Sequence, residues 1–382
     1  MHGGPEVSED RAVDKLMRTG GGYVDVAMLI TLGMILILGL AMIYSTSSYR
    51  AYDLYGDSTY FFKRQTIYML SALIVMWIVS RCDYRFMFRR ARIILISSMI
   101  LQVLVLVIGT ASHGSARWIY IGPIGFQPSE YAKTAIIIYT AAAAAARSRQ
   151  LTKLSCLTKI MIMPVITIVL IGVENLSTAI ICFGILFLIL FCGSSQIRHF
   201  IVIGICGVIG CVLFILFAGY RANRVKIWLS PESYPDGYQT VQSLYAVGSG
   251  GLFGLGFGGS VQKKGFIPES HNDMIFSVVC EELGLVGAVF IIALFLYLLY
   301  RMAVIAMNAR DRFGSMMVLG VMAHIAVQLL INISVVTNTI PPTGVPMPFI
   351  SYGGSSIIFI LLEVGMVMSV SRDVAVAEHD KS

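Results

Sequence analysis

Long apolar runs dominate the sequence and set narrow limits on its fold. Ten such runs can be read, at 26–44, 65–80, 93–109, 132–146, 158–173, 176–193, 200–218, 274–300, 315–338 and 351–370. A helix of about 20 apolar residues crosses the roughly 30 Å hydrocarbon core of a bilayer. The runs lack the alternation of barrel strands, and charged residues make up only 13% of the chain. The sequence therefore predicts an all-α polytopic membrane protein with about ten transmembrane helices.

The distribution of basic residues predicts the orientation. Both tails and one set of alternate loops hold 18 of the 28 Lys and Arg residues, and the other loops hold ten. By the positive-inside rule we expect both termini in the cytoplasm. The organisation is then a cytoplasmic tail at 1–25, a membrane domain at 26–371 and a cytoplasmic tail at 372–382. The long polar segment 219–273, between spans 7 and 8, faces outward.

Several other functions are disfavoured by composition. The net charge of +7 is explained by topology, so we expect no nucleic-acid partner. The seven cysteines contain no C-x-x-C pair, which supports neither a disulfide framework nor a zinc site. No segment is long enough for a soluble catalytic domain, so any chemistry belongs to loops and span ends.

The outward segment ends in IPESHND, where the next apolar run begins. Its last residue, Asp273, is the predicted catalytic residue, because a carboxylate half sheltered from water can act as a general base. A helix cap is the alternative. Lys264, His271 and Glu281 are predicted to bind substrate, and Glu281 with its neighbour Glu282 forms an acidic pair that is costly inside an apolar run.

A second polar stretch, RWIYIGPIGFQPSEYAK, follows the third run. Pro128 predicts a helix start, with Glu130 at its positive end and Lys133 on the same face. This pair is either a structural ion pair with Lys133 snorkelling to the surface or part of a ligand cavity. Arg117 and Trp118 are either interfacial anchors or, with Glu130 and Lys133, substrate-binding residues, in which case Arg117 and Lys133 suit a bound phosphate.

Three other outward segments have unusual composition. The stretch around Arg221 and Arg224 is either an interfacial amphipathic helix or a site for an anionic lipid headgroup. The glycine-rich loop (248–259) matches G-x-G-x-x-G but lacks the surrounding βαβ unit of a dinucleotide site, so its glycines are expected to allow close backbone approach. The proline loop (338–353) cannot be a helix; it is either buried in protein or lines a cavity, and we assign Ser351 within it to substrate.

Four strings in order resemble the SEDS family (shape, elongation, division and sporulation). They are RWIYIGPIGFQPSEYAK, YQTVQSLYAVGSGGLFGLGFGG, the run from Ile267 to Gly287, and PPTGVPMPFISYGGSS. The resemblance covers the chain from the first span to the last. Within the family, QKKGFIPESHND is more similar to the FtsW and SpoVE type than to RodA.

The resemblance implies a peptidoglycan glycosyltransferase of the bacterial cell membrane. Such a protein polymerises lipid II, an undecaprenyl-diphosphate-linked disaccharide-peptide, and works with a class B penicillin-binding transpeptidase and other cell-wall synthesis proteins. It also implies that Asp273 is essential. Two positions depart from the family pattern: Glu174 stands at a usual Pro within VENL, next to Asn175 at a usual Asp, and Asn338 stands where Gly is common.

We expect an inverting transfer, in which Asp273 deprotonates the acceptor sugar hydroxyl and cations bind the diphosphate leaving group. Arg117 and Lys133 are the expected cations, with a divalent cation (Mg or Mn) or the Arg221 cluster as further candidates. Two alternatives stay open. One is a lipid II flippase, and the other is a scaffold that recruits division or sporulation proteins without catalysis.

Overall fold

Long helices make up most of the chain in a computed structural model that describes residues 24–112, 115–121, 124–216 and 219–379. The helices are α1 (Val26–Tyr55), α2 (Tyr60–Arg81), α3 (Arg85–Ile108), α4 (Pro128–Ala146), α5 (Leu154–Glu174), α6 (Leu176–Gly193), α7 (Ile197–Leu216), α8 (Gly219–Leu229), α9 (Tyr238–Ser249), α10 (Ile275–Met307), α11 (Arg312–Val336) and α12 (Gly354–His379). Each of the ten predicted runs falls on one of them. The chain is a helical multi-pass membrane protein.

Nine helices in the described part of the chain are long and apolar enough to cross a membrane. The exception among the ten predicted runs is α4, whose hydropathy is lowered by Glu130 and Lys133. This helix lies at the centre of the bundle, against α3, α6 and α11, and 15 of its 19 residues are buried. Its six consecutive alanines let neighbouring helices approach closely.

The periphery of the bundle is apolar. Within the described residues, helix α7 packs mainly on α6 and α8, and just 6% of its most apolar stretch is buried. Ile201, Val208 and Ile209 on this helix are exposed in the isolated chain. Hydrocarbon is an apolar environment, so lipid would cover such side chains in a membrane.

A small antiparallel sheet separates α3 from α4. Its strands are β1 (Thr110–Ser112), β2 (Ser115–Ile121) and β3 (Ile124–Phe126), in the order β1-β2-β3. The predicted helix start at Pro128 is confirmed. The strands themselves were not predicted, since β1 and β3 have only three residues each and Trp118 to Ile121 of β2 are all apolar or aromatic, with no alternation of apolar and polar side chains.

Helix α10 is interrupted at Gly284, where φ is 66° and ψ is −169°. The glycine-rich loop pairs with the interruption: the Leu255 N–H donates to the Glu281 carbonyl at 2.9 Å. A Cβ added at Gly254 would lie 2.2 Å from the Glu282 carbonyl oxygen. The predicted close backbone approach of these glycines is therefore confirmed.

Ion pairs tie helix ends together at the end of the bundle that holds the start of α1 and the end of α12. Asp25 caps α1 and pairs with Arg301 of α10 at 2.7 Å. Arg85 of α3 pairs with Asp373 of α12 at 2.5 Å. Helix α12 continues to His379, so the predicted C-terminal tail at 372–382 begins within a helix.

Candidate catalytic site

Asp273 lies half-buried just before α10. The N-cap position of that helix belongs to Met274, which makes no side-chain cap. Asn332 of α11 donates from its amide nitrogen to the Asp273 carbonyl at 2.7 Å and to the Val345 carbonyl at 2.8 Å. A Cβ at Gly344 would lie 3.7 Å from the Asp273 Oδ2 atom. The carboxylate therefore lies beside the proline loop, at its junction with α10 and α11.

The proline loop is irregular backbone, as predicted, and Ser351 fastens it to the IPESHND segment. The Ser351 hydroxyl donates to the Asn272 carbonyl at 2.6 Å and accepts from the Met347 N–H at 2.8 Å. The Tyr352 N–H donates to the His271 carbonyl at 2.9 Å. Ser351 is buried, and these bonds make it a brace for the segment that carries Asp273.

His271 is held between aromatic rings. Its ring centroid lies 4.5 Å from that of Phe61 and 5.6 Å from that of Tyr352. Burial lowers the pKa of His271 to about 4, although nearby Glu269 acts in the opposite direction. Glu269 adopts a left-handed φ of 56° and pairs with Arg50 at 3.2 Å. His271 is therefore neutral at physiological pH and packs between Phe61 and Tyr352.

Glu130 and Lys133 form a buried ion pair. Their charged atoms are 2.9 Å apart, and the side chains are 7% and 2% exposed. The predicted helix-start ion pair is confirmed, whereas snorkelling of Lys133 to the surface is wrong. The reason is that the Lys133 ammonium group has a second partner inside the bundle, the Gln328 Oε1 atom at 3.1 Å.

Three buried polar residues on one face of α11 were missed in the sequence: His324, Gln328 and Asn332. They are spaced four residues apart, so they line one side of the helix. Gln328 donates to the Pro346 carbonyl at 2.9 Å, and His324 contacts Glu363 of α12 at 2.7 Å. The available signal was a four-residue repeat of polar side chains in an apolar span, which marks functional positions in membrane proteins.

Glu281 belongs to a second buried cluster. Its carboxylate accepts from the Ser260 hydroxyl and from the Val261 N–H, the latter at 2.9 Å. Next to it, Glu282 pairs with Lys263 at 2.6 Å. Both acids are occupied in holding the outward loop against α10. The geometry therefore favours an anchoring role for Glu281 over the predicted contact with substrate.

The remaining predicted residues are less closely connected with Asp273. Lys264 is exposed beside the buried Lys263. Trp118 is half-buried on β2, with its ring 6.4 Å from that of Tyr120. The side chains of Arg117 and Arg221 lie outside the described residues.

Helix α8 brings Arg224 and Trp228 to the proline loop. Arg224 donates to the Pro342 carbonyl at 3.2 Å, and Trp228 donates to the Asn338 carbonyl at 2.9 Å. Asn338 has a φ of 52°, a conformation that glycine adopts freely and asparagine tolerates. This explains how asparagine fits where the family commonly has glycine. At the other departure, Asn175 caps α6 by accepting from the Thr178 N–H at 3.2 Å.

In the described part of the chain, no cluster of three or more His, Cys, Asp or Glu residues could hold a metal ion by itself. Beside the Asp273 carboxylate lie the backbone of the proline loop and Asn332, whose amide oxygen is buried without a hydrogen-bond partner. Magnesium favours such oxygen ligands when substrate phosphates supply the rest. A substrate-bridging divalent cation therefore fits the residues.

The fold and the site together define a multi-pass helical membrane protein with a carboxylate-centred polar site at the ends of its spans. The family model of the FtsW, RodA and SpoVE proteins, described as cell cycle proteins, matches residues 26–375. The chain belongs to this family.

Individual relatives match over nearly their whole length. The chain is 36% identical to stage V sporulation protein E of Bacillus subtilis, covering 91% of this chain and 97% of the relative. It is 34% identical to a probable peptidoglycan glycosyltransferase FtsW of Trichlorobacter lovleyi, covering 92% and 94%.

Solved structures share the fold. A chain from a structure describing the coordination of polymerization and crosslinking by a peptidoglycan synthase complex superposes with a TM-score of 0.78 at 26% identity, covering 92% of this chain and 98% of that one. The rod shape determining protein RodA of Thermus thermophilus superposes with a TM-score of 0.68 at 24% identity, covering 92% and 97%.

Proposed function

We propose that the protein is a peptidoglycan glycosyltransferase that polymerises lipid II in the bacterial cytoplasmic membrane. Family membership and relatives named as peptidoglycan glycosyltransferases support the activity. The observation that carries the site is the half-buried Asp273 carboxylate beside Gly344 of the proline loop. On this proposal α4 is one of ten spans, both termini are cytoplasmic, and Asp273 faces outward.

Asp273 acts as the general base. It takes the proton of the GlcNAc 4-hydroxyl of one substrate as that oxygen attacks the anomeric carbon of the MurNAc sugar of another. The new glycosidic bond forms as the bond from that carbon to the diphosphate oxygen breaks, with inversion. The leaving diphosphate keeps the electron pair and is already acidic, so it needs cations more than a second carboxylic acid.

Arginines near the proline loop supply positive charge for the diphosphate. Arg224 already lies against this loop, and Arg221 lies about one turn before Arg224 on α8. We propose that both arginines, together with Arg117, bind phosphate oxygens. Lys133 is neutralised by Glu130, so its role is to orient Gln328. A divalent cation bound by Asp273 and the diphosphate would add Lewis-acid stabilisation of the leaving group.

A transpeptidase partner is part of the proposal. The superposed synthase complex is described as coordinating polymerization with crosslinking, and a class B penicillin-binding protein would supply the second activity here. Polymer leaving Asp273 on the outward side would then be crosslinked on the same side of the membrane.

The test is polymerisation of labelled lipid II by purified protein. Asp273→Asn removes the base while keeping the side-chain shape, and we expect polymer formation to fall at least about 100-fold, the usual contribution of general-base catalysis. Asp236→Asn is the matched control, because Asp236 is an exposed acid of the same outward segment; its rate should equal that of the wild type.

Other outcomes would support the alternatives. Wild-type protein that moves lipid II across vesicles without making polymer would indicate a flippase. A cell in which Asp273→Asn fully complements loss of the protein would indicate a scaffold. Wild-type polymerisation by purified Asp273→Asn would reject the assignment of the base.

A further inference from the structure

A row of hydrogen-bonded polar side chains runs along α11 from the middle of the bundle to Asp273. It consists of His324, Gln328 and Asn332, here called the α11 polar face, and all three side chains are at most 1% exposed. Glu363 of α12 contacts its inner end. Burying this many polar groups in a membrane span is costly, so a role beyond filling space is indicated.

Asn332 joins the two segments that meet at the site. Its amide nitrogen has two hydrogens, and both are used: one bonds the Asp273 carbonyl at 2.7 Å and the other the Val345 carbonyl at 2.8 Å. A side chain with fewer donors at this position could not hold both carbonyls. The spacing between Asp273 and the proline loop therefore depends on this amide.

The orientation of the Gln328 amide is fixed by two neighbours. Lys133 can only donate, so the Gln328 atom that it contacts at 3.1 Å is the oxygen. The Pro346 carbonyl can only accept, so the atom at 2.9 Å from it is the amide nitrogen. His324 Nε2 lies 2.9 Å from that same Gln328 oxygen, and this ring nitrogen must therefore carry a hydrogen.

The other nitrogen of His324 also faces an acceptor. Nδ1 lies 2.7 Å from the Glu363 Oε2 atom, while the second oxygen of Glu363 accepts from Thr134 at 2.7 Å. A neutral imidazole has only one N–H, which Gln328 already requires. One additional proton therefore sits between His324 and Glu363, either on the ring or on the carboxyl group.

We propose that the α11 polar face positions the segment that carries Asp273. Asn332 holds this segment against the proline loop. The proton shared by His324 and Glu363 fixes the orientation of the Gln328 amide. The proposal rests on Asp273 being the general base. The charged or titratable groups nearest His324 are Glu363 on α12 and the Glu130–Lys133 pair on α4, and these interact in turn with Cys182 of α6. None of the α11 residues touches substrate in this scheme.

Asn332 is tested by removing its donors in two ways. Asn332→Ala leaves two buried carbonyls without their donor and should lower kcat at least about tenfold with little change in KM. Asn332→Asp has one donor hydrogen and only when protonated, so it should be slower than the wild type at every pH. Falling pH slows both proteins because Asp273 must be ionised, but the ratio of the variant's rate to the wild-type rate should rise as pH falls. The control is Leu330→Ala, a lipid-facing side chain of the same helix that is 63% exposed.

His324 is tested by a rescue. His324→Gln provides one donor and one acceptor, so it leaves an oxygen facing the Glu363 carboxylate, and kcat should fall about tenfold. Glu363→Gln supplies an N–H to a neutral His324 and still accepts from Thr134, so it should retain activity. The double substitution His324→Gln with Glu363→Gln restores a donor for every acceptor and should recover most of the lost rate.

The outcomes separate this proposal from the function it rests on. Wild-type kinetics for Asn332→Ala, a ratio of the Asn332→Asp rate to the wild-type rate that does not rise as pH falls, or a double substitution no better than His324→Gln alone would overturn the positioning role while Asp273→Asn stays inactive. Full activity of Asp273→Asn would instead overturn the assignment of the base. Thermal unfolding of each variant in detergent, measured beside Leu330→Ala, identifies losses that come from unfolding.

Discussion

Burial decides the protonation state of His271, because it outweighs the opposing effect of the nearby Glu269 carboxylate. Its pKa is about 4 in the folded protein, against a usual value near 6.5. Between these values the unfolded chain binds more protons than the folded chain. The contribution of His271 to stability is therefore fully present above about pH 6.5 and is lost as pH falls to about 4, by at most about 3 kcal/mol.

Replacing His271 should remove this part of the acid sensitivity. His271→Phe keeps an aromatic ring between Phe61 and Tyr352, and we expect its melting temperature in detergent to fall less than that of the wild type between pH 7 and pH 4.5. His199→Phe, at the opposite end of the bundle, should follow the wild-type slope. Equal slopes for His271→Phe and the wild type would show that burial does not keep His271 neutral.

At the scale of elements, the pairing of the glycine-rich loop with the interruption in α10 should respond sharply to one methyl group. Gly254 has a φ of 76°, and a Cβ there would clash with the Glu282 carbonyl, whereas a Cβ at Gly248 meets nothing within 4 Å. Gly254→Ala should therefore lower stability by at least about 2 kcal/mol. Gly248→Ala should be neutral or slightly stabilising. Similar melting temperatures for both variants would contradict this pairing.

Glu281 provides a second prediction about the same outward loop. Glu281→Ala leaves the Ser260 hydroxyl and the Val261 N–H without their acceptor, which should cost about 2 kcal/mol or more. Limited proteolysis should then cut the loop faster in this variant. Glu232→Ala, which removes an exposed acid, is the control, and equal cleavage rates in the two variants would argue against anchoring.

At the scale of the whole molecule, the proposed orientation predicts which positions are accessible from outside the cell. After replacement of the natural cysteines, Asp236→Cys should react with an impermeant maleimide in intact cells. Asn308→Cys, in the loop between α10 and α11, should react only after permeabilisation. Labelling of Asn308→Cys in intact cells would invert the proposed topology.

Several whole-molecule features follow from the sequence alone, because they depend on local composition. Apolar length predicts the helices, Pro128 predicts the start of α4, and the IPESHND string directs attention to Asp273. The interruption at Gly284 does not follow, because the apolar run continues through it and the break exists only where the glycine-rich loop pairs with it. The burial of Lys133 likewise depends on Gln328, which is 195 residues away in sequence.

The most direct measurement is the pH dependence of kcat/KM for lipid II polymerisation. We predict that kcat/KM of the wild type rises with pH as a single carboxylate ionises. The residual activity of Asp273→Asn should be at least about 100-fold lower and flat across the same range. If kcat/KM of Asp273→Asn still fell at low pH as it does in the wild type, another group would take the sugar proton, and Asp273 would not be the general base.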